Sequence, residues 1–265
     1  MPQPFVPPVV FGVLNVTPDS FSDGGRFLDP AAAIGHGQAL VEAGADVVDV
    51  GGESTRPGAA PVDPGEELRR VLPVVEGLVA GGIRVSIDTR RASVAAAAVR
   101  AGATIVNDVD GGRDPGLLRV AADSGADLVL MHSRGPAGRG GDYGDVVRDV
   151  ATDLRDRVDA ATTAGVPRQR LVVDPGVGFS KTAAENWHLL AHLDALGVDG
   201  LRLLVGVSRK RFLGELVDGP AEDRDGVTAV LTALLAERGV WGVRVHAPAV
   251  SRAAIDVVRR MREAA

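Results

Sequence analysis

Three apolar runs of the sequence end in a side chain with a planar hydrogen-bonding edge: "RVSID" in Asp88, "TIVN" in Asn107 and "RLVVD" in Asp174. A carboxylate accepts two parallel N–H bonds from a flat amidine-like edge. Three such groups converging from different segments therefore suit a heterocycle with an exocyclic amine beside a ring N–H. Taken singly, each would serve as well to cap a helix or tie a turn. Basic groups occupy complementary places. Arg244 and His246 alternate in "VRVHAP", so they share one face of an extended segment, and with Asn15 they could hold an anion or a Mg2+-bound phosphate. In "DVGGESTRPG", from Asp49, the chain leaves an apolar run through two glycines into Glu53, Ser54, Thr55 and Arg56, with no apolar residue to anchor them.

Lysine usage sharpens this picture. Of 29 basic residues only Lys181 and Lys210 are lysine, in "GFSKT" and "VSRKRF". A compact ammonium does what a planar guanidinium fork cannot, so a chain otherwise filled with arginine has kept two for a reason. A helix beginning near Arg209 would aim backbone N–H groups at the same region and favour a carboxylate or phosphate, with Lys210 reinforcing it. "DPGVGFSKT" adds a glycine-permitted turn that exposes Phe179. Ser208 and His132 end two further runs, whereas His36, His188 and His192 fall in helical segments. There is no cysteine, no GxSxG, no HExxH and no P-loop, which removes thiolate chemistry and the common nucleophile, zinc and nucleotide signatures. What remains suits displacement of a phosphate leaving group by orientation and electrostatics.

The elements that must position these groups are eight short β-branched runs, beginning near Val9, Asp46, Arg84, Thr104, Asp127, Arg170, Arg202 and Gly242. Most are continuously apolar, as strands buried on both faces are. Between them lie helical patterns such as "GEELRRVLPVVEGLVAGG" and "RASVAAAAVRAG", and the joins "EAGADVVDV", "RAGATIVNDV" and "DSGADLVLM" repeat one rule of helix end, glycine, strand. Strands alternating with helices imply parallel pairing through right-handed crossovers. Eight units in 265 residues fit a (β/α)8 TIM barrel over 1–265 as a single domain better than a doubly wound sheet, because the first run is not followed by GxGxxG. In such a barrel the C-terminal ends of the strands carry the site, and all eight run ends are polar or ionisable.

The net charge of −6 argues against nucleic acid or an anionic membrane as partner. No apolar stretch is long enough for a membrane span and the start lacks a secretion signal, so a cytoplasmic protein is expected.

Longer blocks carry a resemblance. "NVTPDSFSDGG" from Asn15, "DVGGESTRPGA", "SIDT", "NDV", "LMH", "DPGVGFSKT", "GVSRKRF" and "VRVH" together resemble the dihydropteroate synthase family over nearly the whole chain. The resemblance implies a TIM barrel with mobile loops at its C-terminal face. It also implies a transferase of folate biosynthesis that condenses hydroxymethyl-dihydropterin pyrophosphate with para-aminobenzoate, assisted by Mg2+. By the same resemblance Asp88, Asn107, Asp174 and Lys210 would hold the pterin, with Val109 and Met131 against its face. Asn15, Arg244 and His246 would hold the pyrophosphate, with Asn15 at the metal. Phe21, Asp23, Thr55, Arg56, Pro57, Phe179 and Ser208 would form the para-aminobenzoate subsite. Lys210, Asp88, Asp174 and Arg244 would carry the chemistry, and Lys181 would order its loop. The family also implies sulfonamide sensitivity and a homodimer. The chain departs from it at Ala247, where an acidic residue usually follows the histidine. The competing readings are a methyltetrahydrofolate-dependent methyltransferase barrel, which should lack "STRPG" and "SRKRF", and a non-catalytic pterin-binding paralogue.

Overall fold

The computed structural model describes residues 5–17, 29–53, 62–134, 142–196 and 200–264. Among them, strands and helices alternate from end to end: β1 (Val9–Asn15), α1 (Pro30–Glu42), β2 (Val47–Gly51), α2 (Pro64–Ala80), β3 (Val85–Asp88), α3 (Ala92–Arg100), β4 (Ile105–Asp108), α4 (Pro115–Ser124), β5 (Asp127–Met131), α5 (Val146–Thr163), β6 (Leu171–Asp174), α6 (Ala183–Ala191), β7 (Arg202–Val205), α7 (Asp225–Glu237), β8 (Gly242–Val245) and α8 (Pro248–Glu263). Helix starts are written locally. Asp29, Asp63, Asp114 and Asp145 accept backbone N–H bonds at the N-termini of α1, α2, α4 and α5, and Thr182 with Glu185 forms a capping box at α6. The three glycines of the repeated joins, Gly44, Gly102 and Gly125, all take positive φ (101°, 108° and 74°), which lets each helix stop and turn directly into its strand.

The strands pair in parallel in sequence order and β8 closes onto β1, with Phe11 opposite Arg244. The closed parallel barrel is the (β/α)8 fold expected from the sequence. Strand side chains alternate between two environments. Val10, Leu14, Val48, Val50, Leu128 and Val173 belong to the large core between barrel and helices. Phe11, Val47, Ile105, Val129, Val172 and Leu204 form a separate cluster inside the barrel, with Val9 and Trp241 packed beneath it. This apolar floor decides what lies above it. Two residues further along the same faces come Asp49, Asn107, Met131 and Asp174, so every group of the candidate site stands on a plug of packed side chains.

One expectation is overturned. No α-helix begins near Arg209. Arg209 itself sits at φ 58°, a short 3-10 turn follows at Arg211–Glu215, and the crossover helix α7 starts only at Asp225. Arg209 instead reaches forward to Asp225 through two bonds of 2.8 and 2.7 Å, so its fork secures the loop and presents no helix terminus to the site.

The departure at Ala247 also acquires a structural meaning. Ala247 is the N-cap residue of α8 and makes no side-chain cap bond. Restoring a carboxylate there should satisfy an orphan N–H, so Ala247→Asp is expected to stabilise the ligand-free protein by about 1 kcal/mol. Urea denaturation of the two proteins measures it, and an unchanged or lowered midpoint would remove the capping explanation.

Candidate active site

The mouth of the barrel is a row set by strand register. Asn15 pairs with Gly51, Gly51 with Asp88 and Asp88 with Asn107, while Met131 pairs with Asp174. Gly51 keeps the row open: a Cβ there would lie 3.5 Å from Asp88 Cβ and 3.7 Å from Asn15 Oδ1. From the far side Arg244 projects into the barrel beside Gly206, where a Cβ would come within 3.4 Å of its Nε. Its guanidinium lies 3.6 Å from Asp49 and 3.9 Å from Asp174. Asn107 Nδ2 donates to Asp49 Oδ2 at 3.0 Å, which aims its carbonyl oxygen elsewhere.

These contacts leave capacity unused. Asn107 Oδ1, Asp174 Oδ2 and Arg244 Nη1 are buried and make no hydrogen bond within the protein. Buried polar atoms are rarely left so, and three of them around one space are the signature of a ligand that supplies the partners. Beside them Val109, Met131 and Phe179 form a small apolar cluster of their own, a platform for a flat ring. Lys210 completes the wall: Nζ donates to the carbonyl of Val177 and lies 4.5 Å from the centre of the Phe179 ring. Gly178, at φ 83°, makes that approach possible, since a Cβ would meet Lys210 Cδ at 2.5 Å.

The electrostatics follow from burying three carboxylates, Asp49, Asp88 and Asp174, around one guanidinium. Burial pushes Asp88 up to about 8, with the Asp49 charge adding to it and Arg244 opposing. Asp49 is raised for the same first reason, against Arg244. Lys210 is pulled down to about 7 by burial and then by Arg244, with Asp174 and Asp88 resisting. Arg244 is driven upward despite burial because Asp49, Asp174 and Asp88 surround it.

His246, just past β8, is lowered to about 4 by burial and by Arg209 and Arg244, so it is a neutral imidazole in the free protein. Its Nδ1 lies 3.0 Å from Ser208 Oγ, which also accepts the His246 backbone N–H at 3.1 Å. Ser208, expected near a substrate carboxylate, has a buried hydroxyl that also joins the ends of β7 and β8.

Ten other expected site residues stand together at the C-terminal end of the barrel: Asn15, Asp88, Asn107, Val109, Met131, Asp174, Phe179, Lys210, Arg244 and His246. Phe21, Asp23, Thr55, Arg56 and Pro57 lie outside the described residues. Asp49 is the residue that sequence reasoning passed over. It opens the quoted "DVGGESTRPG", and a lone acid two residues before Gly51, on the inward face of an apolar strand, was the available signal.

The pterin binding enzyme family matches residues 11–246. Dihydropteroate synthase of Mycobacterium leprae (strain TN) is 52% identical over 263 aligned residues, covering 95% of this chain and 93% of the relative. The chain belongs to the dihydropteroate synthase family. The synthase of Bacillus subtilis (strain 168) is 42% identical over 240 residues, covering 90% of this chain and 83% of that one. Among solved structures, Xanthomonas albilineans dihydropteroate synthase with 4-aminobenzoic acid matches with a TM-score of 0.92 at 46% identity, covering 97% of this chain and 93% of that chain. No helix among the described residues is long and apolar enough to cross a membrane.

The raised Asp88 makes a linkage prediction. Its folded pKa of about 8 lies above the ordinary 3.8, so between those values the folded state holds more protons than the unfolded and this group destabilises the protein as pH rises. Asp88→Asn removes the penalty and keeps the shape. The stability of the variant relative to wild type should grow steadily from pH 5 to pH 8 in substrate-free thermal melts, and a constant difference would show that Asp88 ionises normally.

Proposed function

We propose that this chain joins hydroxymethyl-dihydropterin pyrophosphate to para-aminobenzoate, forming dihydropteroate and releasing pyrophosphate. The observation that carries the reading is the pairing of unused acceptors, Asn107 Oδ1 and Asp174 Oδ2, with the platform of Val109, Met131 and Phe179. A pterin asks for both at once: acceptors for the N–H groups along its edge and apolar contact for its face. The synthase of Xanthomonas albilineans has also been solved in complex with 7,8-dihydropteroate, at 44% identity to this chain.

In this reading Asp88, Asn107 and Asp174 grip the ring edge and Lys210 sits at its rim. A ring edge donating N–H bonds to Asp88 favours the ionised carboxylate, so pterin binding should release the proton that burial retains there. The C–O bond between methylene and pyrophosphate then breaks, the electron-rich ring spreads the positive charge, and the arylamine nitrogen forms the new C–N bond and loses a proton. Arg244 and Asn15 face the departing anion. His246, neutral with Nδ1 accepting from Ser208, adds an Nε2–H donor without bringing a charge into the carboxylate cluster. The aminobenzoate is assigned to Phe179 and Ser208 together with Phe21, Asp23, Thr55, Arg56 and Pro57.

Mg2+ fits this donor set in a limited way. Among the described residues no group of three His, Cys, Asp or Glu side chains could hold a metal, and Asn15 offers one neutral oxygen. An ion that keeps waters and substrate phosphate oxygens as most of its ligands needs no more from the protein. When bound it would neutralise charge on the leaving pyrophosphate. A homodimer is proposed from exposed apolar residues on neighbouring helices, Val230 and Leu234 of α7 and Val257 and Met261 of α8.

The test is turnover with both substrates, followed by release of pyrophosphate. Lys210→Ala should lower kcat/KM by roughly 10- to 150-fold, since a charge-assisted bond is worth about 1.5–3 kcal/mol, while leaving the circular dichroism spectrum intact. Near-normal turnover would mean that Lys210 is misassigned. A sulfonamide should compete with para-aminobenzoate and not with the pterin. Noncompetitive behaviour, or none, would remove the aminobenzoate subsite from the reading.

A further inference from the structure

His132 follows β5, has no exposed side-chain surface and takes no part in the chemistry described above. Its Nε2 lies 2.9 Å from Asp153 Oδ2 on α5, and its Nδ1 lies 3.1 Å from Lys181 Nζ in the loop after β6. Lys181 is itself buried, and Nζ also donates to the carbonyls of Gly176 at 3.0 Å and Phe179 at 3.1 Å. An ammonium has three hydrogens and no acceptor; here each hydrogen has one partner.

That count fixes the protons on the histidine. Below its pKa, which burial lowers to about 7, Lys181 is an ammonium that can only donate, so Nδ1 presents a lone pair and Nε2 carries the hydrogen, which points at the carboxylate of Asp153. The opposite tautomer would set N–H against N–H on one side and lone pair against carboxylate on the other. Arg134 Nε donates to the same Asp153 oxygen at 2.9 Å and holds it in place. Burial and the charges of Lys181 and Arg157 keep His132 down to about 3, against Asp153, so the ring stays neutral throughout the working range. The other charged groups around Lys181 are Asp174, Lys210 and Glu185, and Tyr143 packs with its ring 5.8 Å from Nζ.

The segment so held is under strain. Ser180 sits at φ 51°, uncommon for a residue with a side chain, and its hydroxyl accepts the Arg134 N–H at 3.0 Å. The same segment carries Phe179 and, through the Val177 carbonyl, receives Lys210.

We infer that Asp153, His132 and Lys181 form a relay of positioning residues running from the partly exposed Asp153 to the buried lysine: Asp153 sets the tautomer of His132, His132 orients the Lys181 ammonium, and Lys181 clamps the loop that presents Phe179 to the arylamine. The inference deepens the proposed function and rests on it for the identity of the substrate beside Phe179.

The relay is tested first without any variant. In 15N-histidine spectra of the wild-type protein, His132 should show a protonated Nε2 and an unprotonated, hydrogen-bonded Nδ1 that do not change between pH 5.5 and 6.5, where Lys181 keeps its ammonium. A proton on Nδ1, or titration within that range, overturns the relay whatever the enzyme does. Lys181→Met then removes all three donors at nearly constant length. KM for para-aminobenzoate should rise about tenfold or more while KM for the pterin pyrophosphate stays within about twofold, and the Nδ1 resonance should move to the position of an unbonded nitrogen. Equal loss for both substrates, or no loss, would reduce Lys181 to a packing residue. Absence of turnover in the wild type would sink the proposed function while leaving the spectral test of the relay standing.

Discussion

A guanidinium buried inside a barrel is the constraint on which the site depends. Arg244 leaves the water that would solvate it and can do so only because Asp49 and Asp174 lie within 4 Å and Asp88 adds its field. Gly206 lies beside it, where even a Cβ would already be in van der Waals contact with Nε. Burial displaces Asp49 and Asp88 upward against the pull of Arg244, and at Asp88 the neighbouring Asp49 charge adds to it. Charge balance in the free protein is thus made with protons, which N–H donors of a ligand can displace. A site that must accept a hydrogen-bonding ring and a highly charged anion together gains from this. Its carboxylates need not all be negative while the anion enters, and Lys210, poised near neutrality, can answer either charge.

The barrel makes the arrangement possible through the two-residue period of its strands. Phe11, Val47, Ile105, Val129, Val172 and Leu204 close the interior below, so polar groups two residues later are lifted to the open end and cannot sink into the core. The same period explains what was legible in the sequence. Asp88, Asn107 and Asp174 stand where an apolar run stops, and a chain read from left to right marks such places by itself. Asp49 stands inside the run "VVDVG", where apolar neighbours hide it, and only the register that puts β2 beside β1 and β3 shows it facing Arg244 across the barrel.

Contacts between loops were not legible in the same way. Ser208 is followed by basic residues and reads as part of an anion pocket, and nothing in that stretch marks its bond to His246, thirty-eight residues away. Arg209 reads as the first turn of a helix, but its left-handed φ and the pull of Asp225 spend those residues on an irregular crossover. Ala247 reads as a departure from the family, and the structure places it as the uncapped start of α8. In each case the residue type was informative and the partner was not, because the partner comes from another strand or helix.

The two lysines show how local chemistry and distant packing meet. They are the only ammonium groups on side chains in a chain with 29 basic residues, and both bind carbonyls of the loop after β6: Lys210 that of Val177, Lys181 those of Gly176 and Phe179. Burial brings both to about 7. An arginine could not replace either, since its flat fork cannot direct three bonds to separate corners as Lys181 does, nor end as a compact charge over the Phe179 ring as Lys210 does. The loop is therefore gripped from two sides by the one side chain whose shape allows it. One grip, through His132 and Asp153, is anchored to the outer helix α5; the other lies at the substrate mouth. In the proposed reaction a pterin that drew Lys210 to its own rim would loosen the second grip and leave the first, so that Phe179 would keep its anchor through Lys181.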